Sequence, residues 1–124
     1  MQYVITYHIA EKAGPHYDLY LADTDDSINF YAWALPKGLP TAKGVKHLAV
    51  KVADHPAEDV YYEGPITKGY GKGTKAVWDE GQYNTDSRIV ASKPVKITFH
   101  GNRLKGSYYL LHWRGNQWLV WRAN

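Results

Sequence analysis

The chain contains no cysteine, which excludes disulfide staples and thiolate metal sites and fits a reducing compartment. It has no apolar run approaching the ~18 residues of a membrane-spanning helix, and its N-terminus lacks the apolar core of a signal peptide. A soluble, cytoplasmic protein with no membrane partner is therefore expected. Sustained helical periodicity is missing as well, although a helical turn can be accommodated near 41–47 or 55–59. Phenylalanine occurs only 2 times, yet 11 tyrosines and 5 tryptophans bring the aromatic content to 15%. Such residues favour strands. The net charge of +3 and pI near 9.0 mildly favour a polyanionic partner such as nucleic acid, though lysines also serve simply to solvate a surface. No internal repeat, linker or low-complexity stretch divides the 124 residues, which suit one domain.

Short β-like runs recur near 2–9, 16–22, 27–35, 47–53, 59–63, 75–79, 95–100, 106–113 and 117–122. Turn signals lie between them: Asp23-Thr24-Asp25-Asp26, the Pro36-to-Gly44 stretch, Gly101-Asn102 with Gly106, and Arg114-Gly115-Asn116. Many short strands at this spacing indicate an all-β, single-domain, closed or nearly closed antiparallel β-barrel with little helix. In the third run Ile28, Phe30, Ala32 and Ala34 alternate with Asn29, Tyr31, Trp33 and Leu35. Either face can be core, and the aromatic face is a candidate groove lining. Val95-Ile97-Phe99 and Tyr109-Leu111-Trp113 are expected in the barrel wall, with His100 and His112 as structural residues.

His16 and Asp18 stand two apart, so in a strand both point to one face, roughly 6.5–7 Å apart along the backbone. His8 lies in the preceding run. The linking Glu11-Lys12-Ala13-Gly14-Pro15 reads as a turn. If the two runs pair as a hairpin, two imidazoles and a carboxylate form one facial cluster with open positions, which suits a first-row divalent metal. Taken alone, His-x-Asp is a weak signal, and polar residues with local partners are the blander account. Lys37, between Pro36 and Gly38, can bind phosphate as a point charge, although a solvent-facing loop lysine is the commoner case. His55, in Asp54-His55-Pro56, can contact a phosphoryl oxygen or protonate a leaving group, or simply cap a strand end. Thr67 to Lys75 combines glycines with lysines and a tyrosine, so Lys68, Tyr70 and Lys72 suit a nucleic-acid backbone and a stacked base. It leads into the strand Ala76-Val77-Trp78 rather than a helix, which argues against a nucleoside-triphosphate loop.

The order His8, His16-Tyr17-Asp18, Trp33-Ala34-Leu35-Pro36-Lys37-Gly38, His47-Leu48-Ala49-Val50, Asp54-His55-Pro56, Glu63-Gly64, Tyr70-Gly71-Lys72-Gly73-Thr74, Val77-Trp78-Asp79 and His100 to Gly106 resembles the 3′-phosphoesterase domain of bacterial DNA ligase D. Each motif is ordinary and their joint order is specific. The resemblance implies a β-barrel with a groove on one side, which removes a 3′-terminal ribonucleoside and then the 3′-phosphate from DNA ends. It implies a divalent metal, Mn²⁺ first, with Zn²⁺, Co²⁺ or another first-row ion as alternatives. It implies DNA or RNA-containing DNA 3′ ends as partners, with a separate ligase and polymerase, because the chain has no room for those domains and resembles a free-standing form. Carried across, His8, His16 and Asp18 match the metal ligands, His55 the histidine at the scissile phosphate, and Lys37 a lysine of the same pocket. His47 stands in place of an arginine and is expected to supply a donor there. Tyr20 replaces a second arginine and Asp59 a tyrosine. A fixed guanidinium clamps phosphate through two parallel hydrogen bonds, which neither replacement reproduces. A catalytically weak module that binds nucleic-acid ends is therefore the alternative expectation, and a barrel enzyme acting on small molecules a third.

Overall fold

The computed structural model describes residues 1–25, 28–69, 71–89 and 92–123. Nine strands run in the order β1 (Gln2–Ala10), β2 (Gly14–Ala22), β3 (Asn29–Leu35), β4 (Lys46–Pro56), β5 (Gly64–Ile66), β6 (Gly73–Thr85), β7 (Val95–Gly101), β8 (Lys105–Arg114) and β9 (Gln117–Arg122). A single turn of helix, α1 (Ala57–Val60), stands between β4 and β5. Antiparallel pairing in the order β1-β2-β3-β4-β9-β8-β7-β6 closes on itself through β1–β6, and β5 hangs from the start of β6. The expected all-β closed barrel is therefore present. No helix among the described residues is long and apolar enough to cross a membrane.

Some boundaries differ from expectation. The run at 59–63 is not a strand; α1 and an irregular link occupy it, and β5 follows. The 75–79 strand extends over Gly73–Thr85, and β4 carries on through Asp54-His55-Pro56 instead of ending before it. Asp26 and Ser27, from the expected second turn and third strand, lie outside the described residues.

Alternation along the strands sends one side-chain set inward. Tyr3, Ile5, Leu19, Leu21, Trp33, Leu35, Ala49, Ile97, Phe99, Leu110 and Val120 fill the barrel. The aromatic face of β3 thus points into the barrel, and the groove is lined instead by Ala32 and Ala34. On β8 the inward set is Tyr108 and Leu110, which leaves Trp113 half exposed on the outside. A second apolar cluster of Val4, Tyr20, Ala22, Phe30, Ala32 and Val60 lies on the outer face of β1–β3, where Val60 of α1 covers it. Beyond α1 the same outer face continues uncovered, and there the groove opens.

Two β-bulges decide which residues reach that face. In β1–β6 the register runs Thr6 with Val77 and then Ile5 with Asp79, so Trp78 is the extra residue. An extra residue reverses the alternation. Lys75 therefore shares the outer face with its partner His8, while Asp79 and Tyr83 turn inward. In β3–β4, Ala32 pairs with Val52 but Phe30 pairs with His55, so both Val52 and His55 reach the outer face.

The inward Asp79 fastens the β7–β8 turn. Its carboxylate accepts hydrogen bonds from the Tyr3 hydroxyl at 2.8 Å and from the backbone N–H of Asn102, Arg103 and Leu104 at 3.1, 3.1 and 2.9 Å. A Cβ at Gly101 would collide with the Tyr3 hydroxyl and the Asp79 carboxylate, so glycine is required there for close approach. Burial alone would raise the Asp79 carboxyl, but the hydrogen bonds from Leu104, Arg103, Tyr3 and Glu80 outweigh it and hold its pKa below the ordinary value. Its stabilisation is then complete above the unfolded value near 3.9 and is lost as pH falls through the lower folded one. In urea unfolding, Asp79→Ala should cost about 2–4 kcal/mol at neutral pH. Asp79→Asn should flatten the acid limb of stability between roughly pH 4 and pH 2.

Candidate metal centre

His8 and His16 are direct cross-strand partners in the β1–β2 hairpin, and Thr6 faces Asp18. All three side chains of the cluster thus leave one face of one two-stranded ribbon. The His8 Nδ1 lies 3.4 Å from one Asp18 oxygen and the His16 Nε2 lies 3.2 Å from the other. The candidate ligand atoms of the three residues all fall within 4.8 Å of one another.

The far side of each ring is tied to the backbone. His8 donates its Nε2–H to the Gly71 carbonyl at 2.7 Å, and His16 donates its Nδ1–H to the Gly14 carbonyl at 3.2 Å. A carbonyl can only accept, so these bonds place the proton of each neutral ring on the outer nitrogen. The lone pairs of His8 Nδ1 and His16 Nε2 then point at Asp18, which itself only accepts. Three acceptors facing one point repel unless a proton or a cation stands between them. Fixing the tautomer by a bond on the other nitrogen is how metal-bound histidines are commonly oriented. The donor set, two imidazoles and one carboxylate, fits a first-row divalent ion. A second proton, on His16 Nε2, would donate to Asp18, and that hydrogen bond is the main reason that the His16 pKa is raised, with burial opposing it.

The cluster opens into a cavity of about 680 Å³ whose lining includes His55, Tyr20, Asp59, Tyr62, Gly71 and Lys75. The walls are mainly apolar, from alanines and prolines of β1–β3 and from Val52 and Ile66. His55 packs edge-on against Tyr20, with ring centres 5.5 Å apart, and donates Nδ1–H to the Ala53 carbonyl at 2.8 Å. Burial, aided by the Asp18 charge, raises the Tyr20 pKa, so its hydroxyl stays neutral.

Other expected site residues fall elsewhere. Lys37 is exposed in the β3–β4 loop and does not line the cavity, although its neighbour Pro36 does. His47 shares the inward-facing set of Ala49 and bonds the Gly38 carbonyl at 2.8 Å, so it pins that loop from outside the groove. Lys68 and Lys72 are exposed on either side of Gly71 in the chain; Lys72 meets Glu11 at 3.7 Å. Tyr70 lies outside the described residues. His100 and His112 also lie apart from the cavity, the latter stacked on Trp118.

Sequence reasoning missed Lys75 and the Gly71 carbonyl. Strict alternation along β6 would put Lys75 on the same face as Asp79, and only the bulge separates them. Gly71 gave a partial signal through its place in the glycine-rich stretch. A Cβ there would press on the His8 ring, at 3.2 Å from Cε1.

The sequence profile of the DNA ligase D 3′-phosphoesterase domain matches residues 6–112. This chain belongs to that family. Relatives include the multifunctional non-homologous end joining DNA repair protein LigD of Mycobacterium tuberculosis, 38% identical over 123 residues that make up 97% of this chain and 16% of the relative. The multifunctional non-homologous end joining protein LigD of Pseudomonas aeruginosa is 34% identical over 131 residues, 99% of this chain and 15% of the relative. The LigD protein of Mycolicibacterium smegmatis is 34% identical over 98% of this chain. The chain therefore spans only 15–16% of the length of these relatives. Of Tyr20, Asp59 and His47, the first two line the groove and His47 does not.

The cluster makes a direct prediction for metal binding. At a metal concentration 100 times its Kd, Mn²⁺ should stabilise the wild-type chain by about 2.7 kcal/mol. The same addition should leave the melting temperature of His16→Ala unmoved. The affinity, read by calorimetry, should weaken as pH falls, because each ligand must be deprotonated to bind.

Proposed function

We propose that residues 1–124 form one metal-dependent phosphoesterase domain that hydrolyses the terminal 3′-phosphate of DNA ends before ligation. The observation that carries this reading is the inward aim of two imidazole lone pairs and a carboxylate at the edge of an open groove, in a chain of this family. His8, His16 and Asp18 would hold the cation, with Mn²⁺ the first choice and Zn²⁺ or Co²⁺ able to occupy the same donors. When bound, such an ion supplies Lewis-acid polarisation of a phosphoryl oxygen and a more acidic water.

The protein's own groups do the rest. Because Ala53 fixes the His55 proton on Nδ1, Nε2 is the nitrogen left to exchange a proton with the phosphoryl group or the leaving oxygen. The apolar alanine and proline walls exclude water and give the terminal nucleoside a surface to pack on. Lys68 and Lys72, with Tyr70 between them in sequence, would follow the strand entering the groove, an attraction that salt weakens. The proposal centres on the phosphate step. Removal of a ribonucleoside would have to proceed without guanidinium groups at Tyr20 and His47. The reaction would take place in the cytoplasm.

The test is a 3′-phosphorylated primer–template incubated with the protein and Mn²⁺. Phosphate release should stop with chelator and in His16→Ala. In His55→Ala the rate should fall by roughly 10²–10⁴-fold, the usual worth of a positioned acid or base. Tight binding of the primer–template without release, insensitive to chelator, would instead identify an end-binding module.

A further inference from the structure

Lys75 is 7% exposed. A lysine so buried is ordinarily neutralised by a carboxylate in contact with it. Among the described residues no carboxylate oxygen lies within 4.0 Å of its ammonium. The ammonium donates one hydrogen bond, to the Asp59 backbone carbonyl at 2.7 Å, and sits 4.9 Å from the centre of the Tyr20 ring. An ammonium has three N–H donors, so this arrangement pins the group while leaving donors over. The pin also costs the protein a buried cation, which an apolar side chain of the same length would avoid.

The position explains the cost. Lys75 faces His8 across the β1–β6 ladder and lines the same cavity as Asp18 and His55. The neighbouring walls are apolar, so a charge there is poorly screened and attracts an anion more strongly than it would in water. The carbonyl and the ring hold it in place and carry no formal charge; the Asp18 and Asp59 carboxylates act on it only from beyond ion-pair distance. We propose that Lys75 is the anion contact of the groove, donating directly to a phosphoryl oxygen of the bound 3′-phosphate. The identity of the anion rests on the phosphoesterase reading; the presence of an anion site does not.

The test is calorimetric titration of inorganic phosphate into the Mn²⁺-loaded chain. Lys75→Met and Lys75→Gln should each weaken phosphate by about 10-fold or more, the usual loss of a charged hydrogen bond. Lys75→Arg should stay within about 3-fold of wild type, since it keeps the charge. Glutamine can still donate to the Asp59 carbonyl, so it separates loss of charge from loss of the pin, and it serves if the methionine variant does not fold. Mn²⁺ affinity measured without phosphate should be little changed in all three. Phosphate binding equal to wild type in Lys75→Gln, or no phosphate binding by the wild type, would overturn the proposal. A chain that binds phosphate through Lys75 yet releases none from a DNA end would retire the hydrolase reading and leave this one standing.

Discussion

The site depends on two backbone carbonyls. Gly71 and Gly14 each take the proton of one imidazole, and by doing so they turn two lone pairs onto Asp18. Without those bonds the rings could flip, each could donate to the carboxylate, and the trio would be an ordinary polar cluster. With them the cluster is electrostatically incomplete and calls for a positive charge at its centre. The two carbonyls come from opposite sides: Gly14 opens β2 within the hairpin, and Gly71 belongs to the segment that crosses above it. The His8–Gly71 hydrogen bond therefore also ties the start of the β6 approach to the barrel.

The barrel supplies a rigid frame with two usable faces. Its interior is filled by one alternating set of side chains, and chemistry is carried on the other. α1 covers only part of the outer face of β1–β3, and the groove lies beside it on the remainder. The bulges then place His55 and Lys75 beside the cluster. Away from the groove, Asp79 satisfies three backbone donors at the β7–β8 turn and the Tyr3 hydroxyl of β1, and keeps β6 anchored where its direction changes.

Much of this was legible in the residues. The spacing of His16 and Asp18, with a Gly-Pro turn back to His8, foretold a shared face, because hairpin pairing and period-2 alternation are local rules. The all-β barrel followed from short aromatic strands and their turns. The order of motifs across the chain pointed to the family. What stayed hidden depended on register. Lys75 could not be assigned to the groove without the bulge at Trp78, and β3 gave no sign of which face would be covered, since both are buried in part. The 59–63 run has strand propensity through Val60, Tyr61 and Tyr62, yet Val60 ends α1 and is buried against the outer face of β1–β3. Lys37 and His47 suited a phosphate pocket by residue type, yet neither side chain lines the groove.

The central claim is that His8, His16 and Asp18 form one cation site with both imidazoles turned inward. Crystals of the chain soaked in Mn²⁺ and measured at the manganese absorption edge test it directly. A single strong anomalous peak is expected, bonded to His8 Nδ1, His16 Nε2 and an Asp18 carboxylate oxygen, with the Gly71 and Gly14 hydrogen bonds intact. A peak that engages neither histidine, or a saturated crystal with no peak at this cluster, would contradict it.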